Sequence, residues 1–474
     1  MRKFLFVLLA ALLLLTACAL SETKPVYTAN AAYDAGAQAL AVSVMAEYVN
    51  DTGAPLDEVY FCVYANVFRR ESTLPFDNGA LTEVFPDYYA PSGAAFSYVG
   101  LNGQRARYAF RGENECFLRV ECDLEEGEKG VFRLDYTLLL SENRSFLGCG
   151  KDARLTLWLP QFAVHTEDGF ILNAPSRAGD FAFSAPADWD ITLTVPANYG
   201  IACGGEAERV YSDKQTSTFH IALRGANEAA LVLSDRFYTE TAETGDVRLT
   251  AFGSDRRELK KLLSQAEEGI ALYRELFGAF PYESLTLARA DCAFSLSRPG
   301  ILMLGDDWEE DGLLLARLLA RQYFTCAVNT DPSTDPFLTE GIAEYAALLS
   351  AEQRDEDGFR KAMREEIEPA LRLTVPGGLT PDGYLSRFTT RSEYDIIVRK
   401  RGAAVLNELR DAMGRDKFLT ALRVYYENGR GKTVTIENFV SALDSAAGKE
   451  MGPALINWLY TIGDYANTIF DIYD

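Results

Sequence analysis

The stretch ARLLARQYF, Ala316 to Phe324, followed shortly by LTEGIAEY, Leu338 to Tyr345, decides how this chain is read. Arg317 and Arg321 stand at i and i+4, so they share one face of a helix. Leucines and alanines fill most of the remaining circumference, with Leu313, Leu314 and Phe324 flanking the two arginines. A helix that is apolar nearly all round is buried. The two guanidiniums therefore form a cationic notch in an apolar wall; a solvated stripe would have polar neighbours. Buried arginines need partners, because breaking such a pair costs about 3–5 kcal/mol. Glu340 and Glu344, one helical turn apart on the next stretch, are the carboxylates at hand.

Other blocks extend the reading. They are PLDEVYFCVYANVF (Pro55 to Phe68), LWLPQFAVHTEDGF (Leu157 to Phe170), ADWDITLTVPANYGIACGG (Ala187 to Gly205) and ELFGAFPYESL (Glu275 to Leu285). Two more follow, RGAAVLNELRDAMGRDKF (Arg401 to Phe418) and NWLYTIGDY (Asn457 to Tyr465). By their order and spacing, from about Ala32 onward, the chain resembles the bacterial lipoprotein branch of peptidase family M1, the gluzincin, membrane alanyl aminopeptidase-like enzymes. In that family the first stretch carries H-E-x-x-H, two zinc-binding imidazoles with a Glu as general base, and the third ligand is a Glu on the next helix.

The departures are systematic. Arg317 and Arg321 occupy the histidine positions, Leu318 replaces the base, and of the ligands only Glu340 remains, with eighteen residues between it and Arg321 as the family spacing requires. In Phe294–Gly300, Ser297 stands where the family has the Glu that grips a peptide amine, followed by Arg298. Aligned on Gly402, the position of the family's catalytic Tyr is Arg399. Guanidinium has no lone pair to offer a metal and stays protonated. The resemblance thus implies a zinc-peptidase frame without its zinc, its cofactor set being none, and without its catalytic residues. No substitute appears: the only histidines, His165 and His220, lie far upstream, and no C-x-x-C pair occurs. Ser297 has no histidine near it in sequence to act as base. DDWEED, Asp306 to Asp311, fits no EF-hand spacing and reads as acidic residues ahead of a helix.

On this reading Arg317 and Arg321 bridge to Glu340 and Glu344, replacing the dication as the link between two helices. A functional reading goes further. Arg298, Arg399, Lys400 and Arg401 add positive charge around the same cleft, and the pocket prefers an anion such as a peptide carboxylate. The ligand-binding set is then Arg317, Arg321, Glu340, Glu344, Arg298 and Arg399, with Gln161 lining the cleft as a Gln does in the family. Packing is an equal reading for Gln161, and loop or helix capping for Lys400 and Arg401.

Residues 1–17 combine a basic start, an apolar run from Phe4 to Leu15 and the ending Leu-Thr-Ala-Cys18. That is a secretory signal peptide. The ending resembles a lipobox, which implies lipidation of Cys18 and anchoring to the outer face of the cytoplasmic membrane of a bacterium. Two acyl chains hold where one would not. A formal charge of −23 argues against nucleic acid as a partner. The seven cysteines after Cys18 are scattered and read as small buried hydrophobes, with Cys116–Cys122 or Cys62–Cys149 bridges left open.

The organisation expected is multidomain α+β. A tether spans 18–33. An antiparallel β saddle domain over 34–250 follows, built from runs such as Phe117 to Leu124, Val131 to Leu140 and Ile191 to Ala197. A thermolysin-like, mainly helical domain with a small sheet fills 251–474. It opens with a helix capped by Asp255 and Glu258 that runs to Phe277 and stops at Gly278, ahead of Pro281. The function expected is a membrane-anchored, non-catalytic pseudopeptidase that binds peptide or another small anionic ligand. Two alternatives stay open: a working zinc aminopeptidase with a rewired site, and a structural subunit of a membrane complex.

Overall fold

The computed structural model describes residues 24–460, apart from 310, 356 and 374–377. The expected signal peptide and the expected lipidation site at Cys18 lie outside the described residues. The first half is sheet-rich and the second mainly helical, an α+β architecture. The tether is shorter than the sequence suggested, because Val26–Asp34 is already a strand inside an eight-stranded sheet. Its small, polar composition hid an alternating pattern. Tyr27, Ala29, Ala31 and Tyr33 point into the core while the residues between them face solvent. The neighbouring strand Ala39–Val49 repeats the alternation with Leu40, Val42, Val44 and Ala46.

The sheet is not purely antiparallel. Val26–Asp34 runs antiparallel to Ala39–Val49 on one side but parallel to Ala187–Pro196 on the other. A parallel neighbour needs a long crossover, and here most of the β region forms that connection. The expected strands are present at Phe117–Leu124, Lys129–Leu139 and Ala187–Pro196. All seven described cysteines are free. Cys116 immediately precedes the strand Phe117–Leu124 and Cys122 lies within it, about 20 Å apart at 3.3 Å per residue, beyond disulfide reach. Cys62 and Cys149 belong to different sheets.

The division at residue 250 also moves. It falls inside strand Val247–Gly253, which belongs with Tyr238–Thr244, Ser284–Arg289, Leu296–Arg298 and Ile301–Leu304 in a five-stranded sheet. The helix Arg256–Phe277 starts where expected: the Asp255 carboxylate accepts from the amides of Arg257 at 2.7 Å and Glu258 at 3.3 Å. It ends at Gly278, whose φ of 107° few other residues would tolerate. One buried tyrosine from this helix ties the second half together. The Tyr273 hydroxyl lies 3.0 Å from the carbonyl oxygens of both Ala316 and Ala346, on the helices that carry the two arginines and Glu344.

Two large apolar cores result, one under the eight-stranded sheet and one among the helices. The first also takes in Leu385, Phe388, Tyr394, Ile397 and Val398 from late in the chain. That late segment packs on the β half. Among the described residues no helix is long and apolar enough to cross a membrane.

Candidate functional site: an arginine–carboxylate cluster beneath a cavity

Four short elements converge on the site. Arg317 and Arg321 project from the helix Leu314–Arg321, and Glu344 from Ile342–Arg354. Glu340 and Arg399 lie on the π-turns Phe337–Gly341 and Asp395–Arg401. A third π-turn, Gln322–Ala327, continues the arginine helix. Such widened turns are rare and collect at functional sites. Arg298 comes from the edge strand of the five-stranded sheet.

The two helix–helix pairs expected from the sequence are present. Arg317 donates through Nε to Glu344 Oε2, and Arg321 through Nη1 to Glu340 Oε1. Each guanidinium then finds a second carboxylate. Arg317 Nη1 is 2.9 Å from Asp311 Oδ2, and Arg321 Nη2 is 3.7 Å from Asp180 Oδ2. Arg399 reaches the same Glu344 Oε2 at 3.0 Å and Asp395 Oδ1 at 3.4 Å. Arg298 lies 3.1 Å from Asp180 Oδ2 and 3.0 Å from Glu228 Oε2. Four guanidiniums thus face six carboxylates, and the notch read from sequence as cationic carries no excess of positive charge.

That corrects the expectation of an anion-gripping arginine cleft. Lys400 and Arg401 also leave it: Lys400 pairs with Glu366 at 3.2 Å, and Arg401 donates to the Leu373 carbonyl at 2.6 Å. Successive residues on a helical turn point in different directions, so only Arg399 of the three faces the cluster. Gln161 is buried and donates to the Asn227 carbonyl at 2.9 Å, lining a small neighbouring void rather than the main cavity. Ser297 is buried too. Its hydroxyl donates to the Leu318 carbonyl at 2.9 Å and accepts from Gln322 Nε2 at 2.7 Å, a tie between strand and helix with no base beside it. Leu318 packs in the helical core.

Burial pushes the Glu344 carboxyl up, but Arg317 and Arg399 outweigh it and hold the group below its usual range. The same balance lowers Asp180 beside Arg298 and Arg321, and Asp311 beside Arg317. Glu228 goes the other way: burial raises it more than Arg298 lowers it. Burial also pushes the neighbouring Cys326 thiol up to about 11, leaving it a poor nucleophile at neutral pH. Lowered carboxylates contribute stability that is fully present above their unfolded values, about 4, and lost as pH falls through the folded ones. Thermal midpoints measured from pH 7 downward should stay level to about pH 5 and drop steeply below pH 4; Glu344→Gln should flatten that drop.

Above the cluster lies a cavity of about 430 Å³. It is lined by Arg317, Arg321, Glu340 and Arg399, by Phe76, Phe146, Phe181 and Phe294, and by the exposed Arg177 and Arg391. Sequence reasoning missed Asp180, Glu228, Asp395 and Tyr394. Asp395 carried a local signal, standing four residues before its partner Arg399, and so did Asp311, an acidic residue ahead of the arginine helix whose Oδ1 accepts from Leu313 N at 2.9 Å.

The fold has clear counterparts among solved structures. A variant of the M1 zinc metallopeptidase from Deinococcus radiodurans superposes with a TM-score of 0.67 at 19% identity, covering 93% of this chain and 95% of that one. A structure of the same enzyme bound to a Tyr-Ser-Ala substrate gives 0.66 at 20% identity, covering 92% and 94%. Glutamyl aminopeptidase from Rattus norvegicus is 24% identical over 157 residues, which span 32% of this chain but only 16% of the rat protein. No protein-family model matches the chain.

Zinc, named for those structural neighbours, does not fit the residues present. A zinc site needs three or four lone-pair donors. The guanidiniums of Arg317 and Arg321 have no lone pair to offer, and Glu340 accepts from Arg321. Among the described residues no group of three or more His, Cys, Asp and Glu side chains is arranged to hold a metal ion. The chain has the two-domain α+β fold of the M1 zinc metallopeptidases.

Proposed function

We propose that this protein is a pseudopeptidase of the M1 family, anchored through lipidated Cys18 to the outer face of a bacterial membrane, that binds a ligand in the 430 Å³ cavity without hydrolysing it. One observation carries the reading. Glu340, the sole remaining counterpart of a family zinc ligand, is held by Arg321, and Arg321 occupies a seat that would have to supply another ligand. Nothing in the cluster replaces the missing chemistry. Leu318 cannot act as a base, and Ser297 hydrogen-bonds a backbone carbonyl rather than a histidine. The ion pairs link the two helices in the way a dication would, so the fold persists without one.

Arg317 and Arg321 each lie against two carboxylates, so the reading does not rest on them as grips for an anion. Metal quantitation on the purified protein, with aminoacyl-reporter hydrolysis before and after chelation, tests the reading. The expected result is far less than one zinc per chain and no chelator-sensitive cleavage. Stoichiometric zinc with chelator-sensitive cleavage would establish a working aminopeptidase instead.

A further inference from the structure

One long sheet edge in this protein is left open. Tyr238–Thr244 is the outer strand of the five-stranded sheet, and all seven of its residues pair with Val247–Gly253 without a register break. Exposed edges of this kind invite another strand, and proteins blunt them with bulges, prolines, lysines or short length. The other edges among the described residues are blunted. Glu206–Ser212 carries a register shift between Arg209 and Tyr211, and no other edge strand exceeds four residues. The Thr244–Val247 pair closes a two-residue turn, Gly245–Asp246. Hydrogen-bonded pairs alternate along an antiparallel ladder, so Thr244, Ala242, Glu240 and Tyr238 bond inward. The amides and carbonyls of Thr239, Thr241 and Glu243 therefore point out of the sheet, and all three residues are exposed.

The helix Arg256–Phe277 lies across this edge. Both of its ends are tied to the strand: Arg256 is 2.6 Å from Glu240 Oε1, and Arg274 donates to the Thr244 carbonyl at 3.0 Å. The middle of the helix thus stands abreast of Thr241 and Ala242. Its unpaired charges are sorted by sign about that middle. Arg257, Lys260 and Lys261 come before it, and Glu267, Glu268 and Glu275 after it. None of these side chains has an ion-pair or hydrogen-bond partner among the described residues. The order opposes the helix dipole, which favours acids in the first turns and bases in the last. It also sets Arg257 and Lys261 together at i and i+4. Within one chain the pattern is unfavourable.

A second copy of the chain answers both features. A two-fold axis normal to the sheet through Thr241 pairs Thr241 with its own copy, Thr239 with Glu243 and Glu240 with Ala242, so no like charges stand opposite. The outward-pointing residues would exchange about six backbone hydrogen bonds and join the two five-stranded sheets into one. The same axis lays the two helices antiparallel, the basic first half of each beside the acidic second half of the other. We propose that this protein forms a symmetric dimer through the strand Tyr238–Thr244 and the helix Arg256–Phe277. An unrelated strand would satisfy the edge but not the order of the helix charges. The inference goes beyond the pseudopeptidase reading and does not depend on it, because neither element lines the cavity.

Sedimentation equilibrium of the full-length protein in density-matched detergent tests it. The parent should be dimeric at about 10 µM in low salt, and its dissociation constant should rise about tenfold or more in about 0.5 M salt. Lys260→Glu with Lys261→Glu should weaken the dimer by about 10- to 100-fold. Adding Glu267→Lys and Glu268→Lys to that variant should bring the constant back to within about threefold of the parent. Thr241→Pro should be monomeric, since proline is tolerated on an edge strand but blocks the ladder at the axis. Circular dichroism checks that each variant is folded; if Thr241→Pro is not, the charge series alone decides. A lipid anchor is common to every variant and so cannot produce these differences. A parent that stays monomeric at about 100 µM, a dimer that charge reversal or a folded Thr241→Pro leaves unmoved, or a reversal that the compensating pair fails to rescue would overturn the proposal.

Discussion

Glu344→Gln is expected to destabilise the protein by about 3–5 kcal/mol, the range for removing one partner of a buried ion pair. Glu344 is fully buried, and a single oxygen, Oε2, accepts from both Arg317 and Arg399. The amide keeps the shape but loses the charge, and one of its two ends becomes a donor facing guanidiniums. Two buried cations then lean on Asp311 and Asp395 alone, both of which are partly solvent-exposed. Urea unfolding followed by circular dichroism measures the change, provided the transition of this two-core protein is treated as cooperative only where two probes coincide. Asp357→Asn, at the exposed Arg360–Asp357 pair, is the matching control and should shift the curve little. A loss below about 1 kcal/mol for Glu344→Gln would mean that the cluster does not join the helices.

The second large effect is a gain. Arg317→His combined with Arg321→His should convert the protein into a zinc binder with roughly one metal per chain. The two imidazoles would stand at i and i+4 on the same helix face and would release Glu340 from Arg321. The positions are already fixed, since the Tyr273 hydroxyl bridges the two helices that carry them. Metal binding to the folded state alone raises the thermal midpoint. The double variant should therefore melt higher with equimolar zinc than with chelator, while the parent should not respond. A folded double variant that takes up no more zinc than the parent would show that the frame around Glu340 no longer has metal-binding geometry.

Much of the fold was legible because its signals are local. The Asp255 cap, the Gly278 stop and the alternation in Phe117–Leu124 each depend on residues adjacent in sequence. The pairing of Arg317 and Arg321 with the next helix was legible for the same reason, since helical periodicity puts both arginines and both glutamates in register. What escaped depends on distance. Asp180 lies 118 residues from Arg298, and Glu228 lies 71 residues from the Leu157 amide that it also accepts from. Neither sits in a stretch with any pattern of its own. Their absence from the reading is what turned a balanced cluster into an apparent cationic cleft. The parallel pairing of Val26–Asp34 with Ala187–Pro196 escaped likewise, because strand alternation reports a face but not a neighbour.

Diffraction at the zinc absorption edge, on crystals of the native chain grown with excess zinc, tests most directly whether arginines have taken the metal's seat. The expected map shows no anomalous peak beside Glu340, and continuous density places the Arg321 guanidinium against that carboxylate. A peak about 2.0–2.2 Å from a Glu340 oxygen, with Arg317 and Arg321 swung away, would contradict it.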